Sequence, residues 1–284
     1  MIKVKSMQKR QFQTICVIIF HMNRTKTILI TNDDGFESPG LHALAEALRP
    51  LGRVIVTAPT NEKSACAHSM TLSRPLRFIE IDDDFYKLDD GTPTDCIFLA
   101  LNAHFAEGEK PDLIVSGINR GSNMGEDITY SGTVGGAMEG VLQGVPSIAI
   151  SQVCKDKCQN IFDFGYDLAA EVAYDLAKKV LEGAYPLGER KLLNVNIPPV
   201  HKDDCKGYKV TNAGIRVYAN SAHLHRNPRG EEYWWIGLPA FEWEKRSDAH
   251  ISDLEAVHEG YVSITPVHLD MTAYDDLQAL EKWL

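Results

Sequence analysis

The chain lacks a long apolar run. No stretch reaches the roughly 18 uninterrupted apolar residues that a membrane-spanning helix needs, so no membrane span is expected. Positive charge is also short: 29 Lys and Arg stand against 39 Asp and Glu, a net charge of −10. General binding to a nucleic-acid duplex, which relies on a basic face, is therefore excluded. Six cysteines in 284 residues are too few for a disulfide scaffold. Cys154 and Cys158 (CKDKC) have half the spacing of a thiolate metal site, but no second Cys/His pair is near, so both are read as reduced thiols. Acid is missing from the start, where the first carboxylate is Asp33. Basic residues followed by an apolar run, Thr14–Phe20, have the order of a signal peptide. The run is very short, however, and His21-Met22-Asn23-Arg24 offers no small-residue cleavage site. Residues 1–24 are read as a dispensable extension with Met22 as an alternative start, and the expected location is cytoplasmic. There is no internal repeat and no low-complexity stretch.

An apolar fraction of 44% and a charged fraction of 24% are those of an ordinary globule. Strand-like runs alternate with helix-like ones. Lys26–Asn32, Arg53–Ala58, Asp112–Ser116, Ser147–Ser151 and Leu192–Ile197 read as buried strands, and Leu76–Ile81 with Phe85–Leu88 as a hairpin or meander. Ser38-Pro39 and Thr92-Pro93 each pair a capping residue with a proline at the first helical position. The second of these helices is expected to reach about Ala106. Further helices are expected after Tyr130 and over Ile161–Leu181, and a glycine- and asparagine-rich loop over Gly117–Tyr130. This alternation predicts an α/β fold, a mostly parallel sheet covered on both faces. Short strands and irregular segments follow from about Gly207. The division expected is one domain over 25–284, with a core at 25–205 and a β-rich extension at 206–284.

Ligands of open parallel sheets bind beyond the carboxyl ends of the strands. Three polar segments fall there: Asn32-Asp33-Asp34-Gly35, Asn61-Glu62-Lys63-Ser64 and Ser116-Gly117-Ile118-Asn119. Adjacent carboxylates repel and are costly to desolvate, so the pair needs a counter-charge. Asp33, Asp34, Ser64 and Asn119 together form an all-oxygen set suited to Mg²⁺, Mn²⁺ or Ca²⁺. The alternative is a solvated acidic turn. Ser131-Gly132-Thr133 opens a helix, where free N–H groups and the helix dipole favour an anion such as phosphate; the alternative is simple capping. A cation site beside a phosphate cradle indicates phosphoryl chemistry.

The stretches ITNDDG, APTNEKSACAHSMTL, GTPTDC, SGINRGSNMGEDITYSGTVGGAMEG, NVNIP, RNPRGEEYWWIG and GYVSITPVHLDMTAY closely resemble the SurE family of 5′(3′)-nucleotidases over about residues 27 to 275. The resemblance implies a Rossmann-like three-layer core and a C-terminal extension exchanged between subunits in a homodimer or homotetramer. It implies a phosphomonoesterase acting on nucleoside monophosphates, and in some members on short polyphosphate, with one divalent metal ion per subunit. Asp33 and Asp34 match the family's aspartate pair, Ser64 its serine ligand and Asn119 its asparagine ligand. Ser131, Gly132 and Thr133 match the turn beside the phosphate. Asp33 and Asp34 are the expected catalytic residues, acting through a metal-activated water or, alternatively, with one of them as base or nucleophile.

His68 is a candidate for phosphate contact or proton transfer, against the reading of a backbone-bonded loop histidine. Asn123 is a candidate substrate contact, and both it and Asp127 are equally readable as turn residues. His223, His225 and the stretch Arg226–Gly230 are read as an arm toward a neighbouring subunit or over the site, or as an exposed hairpin. Trp234 and Trp235 are expected as interface or core anchors. Two other functional classes share parts of this pattern. A phospho-receiver needs an acid after its third strand, where this chain has Gly117-Ile118-Asn119. A non-catalytic nucleotide-binding protein would need the cradle but not the cation.

Overall fold

The computed structural model describes residues 25–154, 165–183, 185–217, 222–236, 242–244 and 250–284. The expected extension 1–24, the residues 161–164 of the expected long helix, and Cys158 lie outside them.

Strands β1 (Thr27–Thr31), β2 (Arg53–Pro59), β3 (Arg77–Asp82), β4 (Phe85–Asp89), β5 (Leu113–Arg120), β6 (Ser147–Gln152) and β7 (Lys191–Ile197) form most of a nine-stranded sheet. Two later strands complete it: β8 (Tyr208–Val210), and one over Val262–His268 that is numbered β13 below. The order is β3-β4-β2-β1-β5-β6-β7-β13-β8. The six strands from β4 to β7 run parallel. At the edges β3 is antiparallel to β4, and β13 is antiparallel to β7. Residues beyond 205 thus complete the main sheet.

Side-chain alternation along the central strands builds two apolar layers. Ile28 and Ile30, Leu113 and Val115, and Ile148 and Ile150 face helices α1 (Pro39–Leu48) and α4 (Asp167–Leu181). Leu29 and Ile114 face α2 (Pro93–Ala103), and Ala149 faces α3 (Gly132–Leu142). Strands buried on both faces read as unbroken apolar runs for this reason.

The cap-then-proline signals are realised. Ser38 accepts from the Leu41 N–H, and Thr92 forms a reciprocal capping box with Asp95. The second helix stops at Ala103, three residues short of expectation. β5 also departs from expectation, passing Ser116 through an irregularity and pairing again at Asn119 with Ser151. A β-carbon on Gly117 would lie 2.3 Å from the Ile150 carbonyl oxygen, so only glycine lets β5 cross β6 so closely. Cys154 is disulfide-bonded, which corrects its reading as a reduced thiol.

The later part holds β9 (Ile215–Val217), β10 (Ala222–Arg226), β11 (Glu232–Ile236), β12 (Glu242–Glu244), α5 (Asp253–His258) and α6 (Leu277–Trp283). β10 and β11 pair as a hairpin exposed along its whole length. Trp234 and Trp235 on it are exposed, so they are not core residues. No helix among the described residues is long and apolar enough to cross a membrane.

Candidate active site

β2 and β5 flank β1 on opposite sides, so the chain reverses its winding direction at β1. Such a switch point leaves a crevice at the carboxyl ends of the two central strands. Thr31 and Ser116 are paired there, and Asp33, Asp34 and Asn119 follow within three residues.

Asp33 is buried and held from α3. The Thr133 N–H donates to its Oδ2 at 3.0 Å, and Thr133 Oγ1 donates to its Oδ1 at 2.5 Å. Its carbonyl accepts from the Lys63 N–H at 2.7 Å, which ties the loop after β2 to the loop after β1. Asp34 Oδ2 accepts from the Arg120 N–H at 2.9 Å, which ties it to β5. Burial pushes the Asp33 carboxyl up, against the bonds from Thr133. Burial, and then the Asp33 charge, push Asp34 up to about 6. Among the described residues no ion pair to either aspartate is formed by a basic side chain at close range.

The other expected ligands lie around this pair. Asn119 is buried, and its Nδ2 donates to the Gly121 carbonyl at 3.0 Å, leaving the amide oxygen as its metal-type donor. Ser64 is exposed, and its Oγ donates to Glu62 Oε1 at 2.6 Å. Asn32 brings its own surplus acceptor: Nδ2 is bonded to Gly35 O and Ser38 Oγ, while Oδ1 is buried without a partner. Among the described residues no three His, Cys, Asp or Glu side chains gather as a metal site. The set is two carboxylates, one amide and one hydroxyl. A buried carboxylate and a half-buried one, both with raised pKa values, beside neutral oxygen donors fit a hard divalent cation.

The helix start at Ser131 differs in detail from the expected cradle. Ser131 Oγ accepts from the Val134 N–H at 3.0 Å, as a cap does, and keeps its own proton to donate. Thr133 spends both its donors on Asp33. A β-carbon on Gly132 would lie 2.6 Å from Cys66 Sγ and 3.0 Å from Asp33 Oδ2, so glycine lets α3 approach the aspartate. Burial and the Asp33 charge push the Cys66 thiol up to about 11, which makes it a poor nucleophile.

His68 is turned to α3 instead of standing free. Its Nε2 bonds Glu139 Oε2 at 3.0 Å, and the other Glu139 oxygen accepts from Gln143 Nε2 at 2.8 Å. Asn123 is buried and tied into β6 and β7: its Nδ2 donates to Ser151 Oγ, and its carbonyl accepts from Asn194 and Asn196. Asp127 pairs with Arg216.

An open cavity of about 520 Å³ adjoins Asp34. Glu37, Glu62, Ser64, Arg120 and Tyr166 line it with Asp34. Burial, together with the nearby Asp34 charge, pushes the Tyr166 phenol up to about 12. Sequence reasoning passed over Tyr166 because its position beside Asp34 arises from the packing of α4 on α1.

The family model for "Survival protein SurE" matches residues 28–220. A relative from Nitratiruptor sp. named "5′-nucleotidase SurE" is 59% identical over 260 residues, covering 91% of this chain and 100% of the relative. One of the same name from Wolinella succinogenes is 61% identical over 259 residues, covering 91% and 99%. The crystal structure of the SurE protein from Aquifex aeolicus superposes with a TM-score of 0.78 at 44% identity, covering 90% of this chain and 99% of that one. With most of its length matched in sequence and in fold, the chain belongs to the SurE family.

Proposed function

We propose that this protein is a divalent-cation-dependent 5′-nucleotidase, hydrolysing nucleoside 5′-monophosphates to nucleoside and phosphate. The observation that carries the reading is the Asp33–Asp34 pair at the switch point, packed against the first turn of α3. The names of the relatives agree with it.

Asp33, Asp34, Ser64 and Asn119 would hold the cation. When bound, a divalent ion supplies a Lewis acid for a phosphoryl oxygen and lowers the pKa of a bound water. The chain's own residues do the rest. Thr133 fixes the rotamer of Asp33, and Arg120 fixes that of Asp34, so both carboxylates keep their orientation without reorganising during reaction. Ser131 presents a hydroxyl proton, and Gly132 a helix-start amide, toward a phosphate dianion. The reading extends to 3′-monophosphates and short polyphosphate as further substrates, to a homo-oligomer built through the exposed C-terminal segments, and to a cytoplasmic setting.

The test is phosphate release from nucleoside monophosphates with and without Mg²⁺ or Mn²⁺, for wild type and Asp33→Asn. Metal-dependent release that the substitution abolishes is expected. Folded wild-type protein that releases no phosphate with any metal would favour a nucleotide-binding role without catalysis.

A further inference from the structure

The nucleotidase reading accounts for the phosphate and leaves the remainder of the substrate without a place. Four elements border the open cavity beside Asp34. They are the start of α1 at Ser38 and Pro39, the loop after β2 at Glu62 and Ser64, the end of β5 at Arg120, and the residue preceding α4, Tyr166. Asp34 and Ser64, two of the residues that would hold the cation, stand in its wall, so a phosphate ester bound at that cation has this space beside it. About 520 Å³ lies within the range of small-molecule sites, roughly 300–1,000 Å³.

We propose that this cavity is the nucleoside subsite, with the Tyr166 ring as the platform for the base and Glu37 as a charge filter at its rim.

Tyr166 has the qualities of a platform. It is half-buried and packs on the core formed with α1 and α4, so its ring is fixed. Its Cε1 lies 3.2 Å from where a Gly40 β-carbon would stand, so the ring rests on the backbone of α1. Gly40 itself admits no side chain, because a β-carbon would be 2.2 Å from the Ile118 carbonyl oxygen. Its phenol oxygen has no hydrogen-bond partner among the described residues. An aromatic side chain anchored on α1 and lining the cavity is suited to base stacking, worth about 1–3 kcal/mol per base and tolerant of base identity.

The charge of the wall sets the second half of the inference. Asp34, Glu37 and Glu62 face one basic residue, Arg120. With Asp34 engaged at the cation and Glu62 bonded to Ser64, Glu37 remains as an exposed carboxylate at the rim. It repels additional phosphates and accepts hydrogen bonds from exocyclic amines of a base. The subsite therefore ranks mononucleotides above polyphosphate chains.

This inference rests on the nucleotidase reading, and the test separates the two. Steady-state kinetics with Mn²⁺ compare AMP, ribose 5-phosphate, which carries the same ester without a base, and tripolyphosphate. Wild type is expected to show a kcat/KM about tenfold higher for AMP than for ribose 5-phosphate. Tyr166→Leu is expected to bring that ratio near one through KM, with ribose 5-phosphate unchanged, and Tyr166→Phe to keep it. Glu37→Gln is expected to raise tripolyphosphate relative to AMP by several-fold. Equal wild-type values for AMP and ribose 5-phosphate overturn the subsite, even if no Tyr166 variant folds. So does a loss of both substrates together in a folded Tyr166→Leu. Hydrolysis of ribose 5-phosphate without AMP overturns the subsite and leaves a phosphomonoesterase. Hydrolysis of neither overturns both readings.

Discussion

Thr133 grips Asp33 from 100 residues away with two hydrogen bonds, its N–H at 3.0 Å from Oδ2 and its hydroxyl at 2.5 Å from Oδ1. One residue thus satisfies both oxygens of a buried carboxylate and sets its rotamer. Thr133→Val keeps the shape and the N–H but removes the hydroxyl. It is expected to cost about 1–3 kcal/mol of stability, because a buried acceptor loses its partner. Chemical denaturation that shows no change in midpoint would contradict this role. Phosphate release should fall with it, since the carboxylate gains rotational freedom.

Gly132 is where α3 comes closest to that carboxylate. Gly132→Ala is expected to leave the protein folded while reducing kcat/KM by about tenfold or more, since a 1 Å displacement at a reacting centre is costly. The new methyl meets Cys66 Sγ first, at 2.6 Å. The double variant with Cys66→Gly gives the methyl room and should recover part of the activity. A double variant no better than the single would place the obstruction at Asp33 itself.

The aspartate pair makes stability depend on pH in an unusual sense. Burial and then the Asp33 charge raise Asp34 from 3.8 to about 6, and burial raises Asp33 too. Each folded carboxyl holds its proton more tightly than in the unfolded chain, so the Asp34 contribution is full below pH 3.8 and is lost as pH rises through about 6, and that of Asp33 is lost as pH rises through its own raised value. For Asp34 the loss is at most about 3 kcal/mol. Metal-free protein should lose part of its thermal stability between pH 4.5 and 7, and Asp34→Asn should lose less. At pH 7, saturating Mn²⁺ should raise Tm by roughly 5 °C, and much less at pH 4.5. Calorimetry in which Mn²⁺ acts equally at both pH values would contradict a carboxylate-held cation.

The His68–Glu139 bond fastens the Ser64 loop to α3. Burial pushes Glu139 up, but bonds from His68 and Gln143 outweigh it and hold it below its ordinary value. A depressed carboxyl contributes stability above its unfolded pKa of 4.5 and loses it as pH falls through the folded value. His68→Ala is expected to cost about 1–3 kcal/mol at pH 7 by leaving a buried carboxylate short of a donor. It should also move the Glu139 titration upward, which carboxyl-resolved NMR can follow. An unshifted Glu139 would mean that the pair is not formed in solution.

Much of the fold was legible from local chemistry. Ser38 and Thr92 signal helix starts because a cap acts on N–H groups two or three residues away. Leu29 and Ile114 signal two-sided burial because neighbours on a strand face opposite layers. Asp33 and Asp34 stood out because adjacent carboxylates after a buried strand demand compensation. The site was less legible where its bonds cross the chain. Thr133 read as a phosphate donor, since nothing near it in sequence reveals that Asp33 takes both its donors. His68 reads as a candidate for phosphate contact or proton transfer, or as a backbone-bonded loop histidine, since its partner Glu139 is 71 residues away. The sequence pattern ends β5 at Ser116, because the glycine that follows has the character of a loop and the close approach to β6 lies outside the local sequence.

The sequence by itself determined the elements, their caps and the chemical identity of the oxygen-rich set, because these depend on periodicity and on contacts within a few residues. Tertiary structure alone decided that β1 is the switch point, that β13 closes onto β7, and that Tyr166 stands over the cavity beside Asp34. Those outcomes depend on which apolar faces bury one another. That is a property of the whole assembled sheet, and no short stretch of residues contains it.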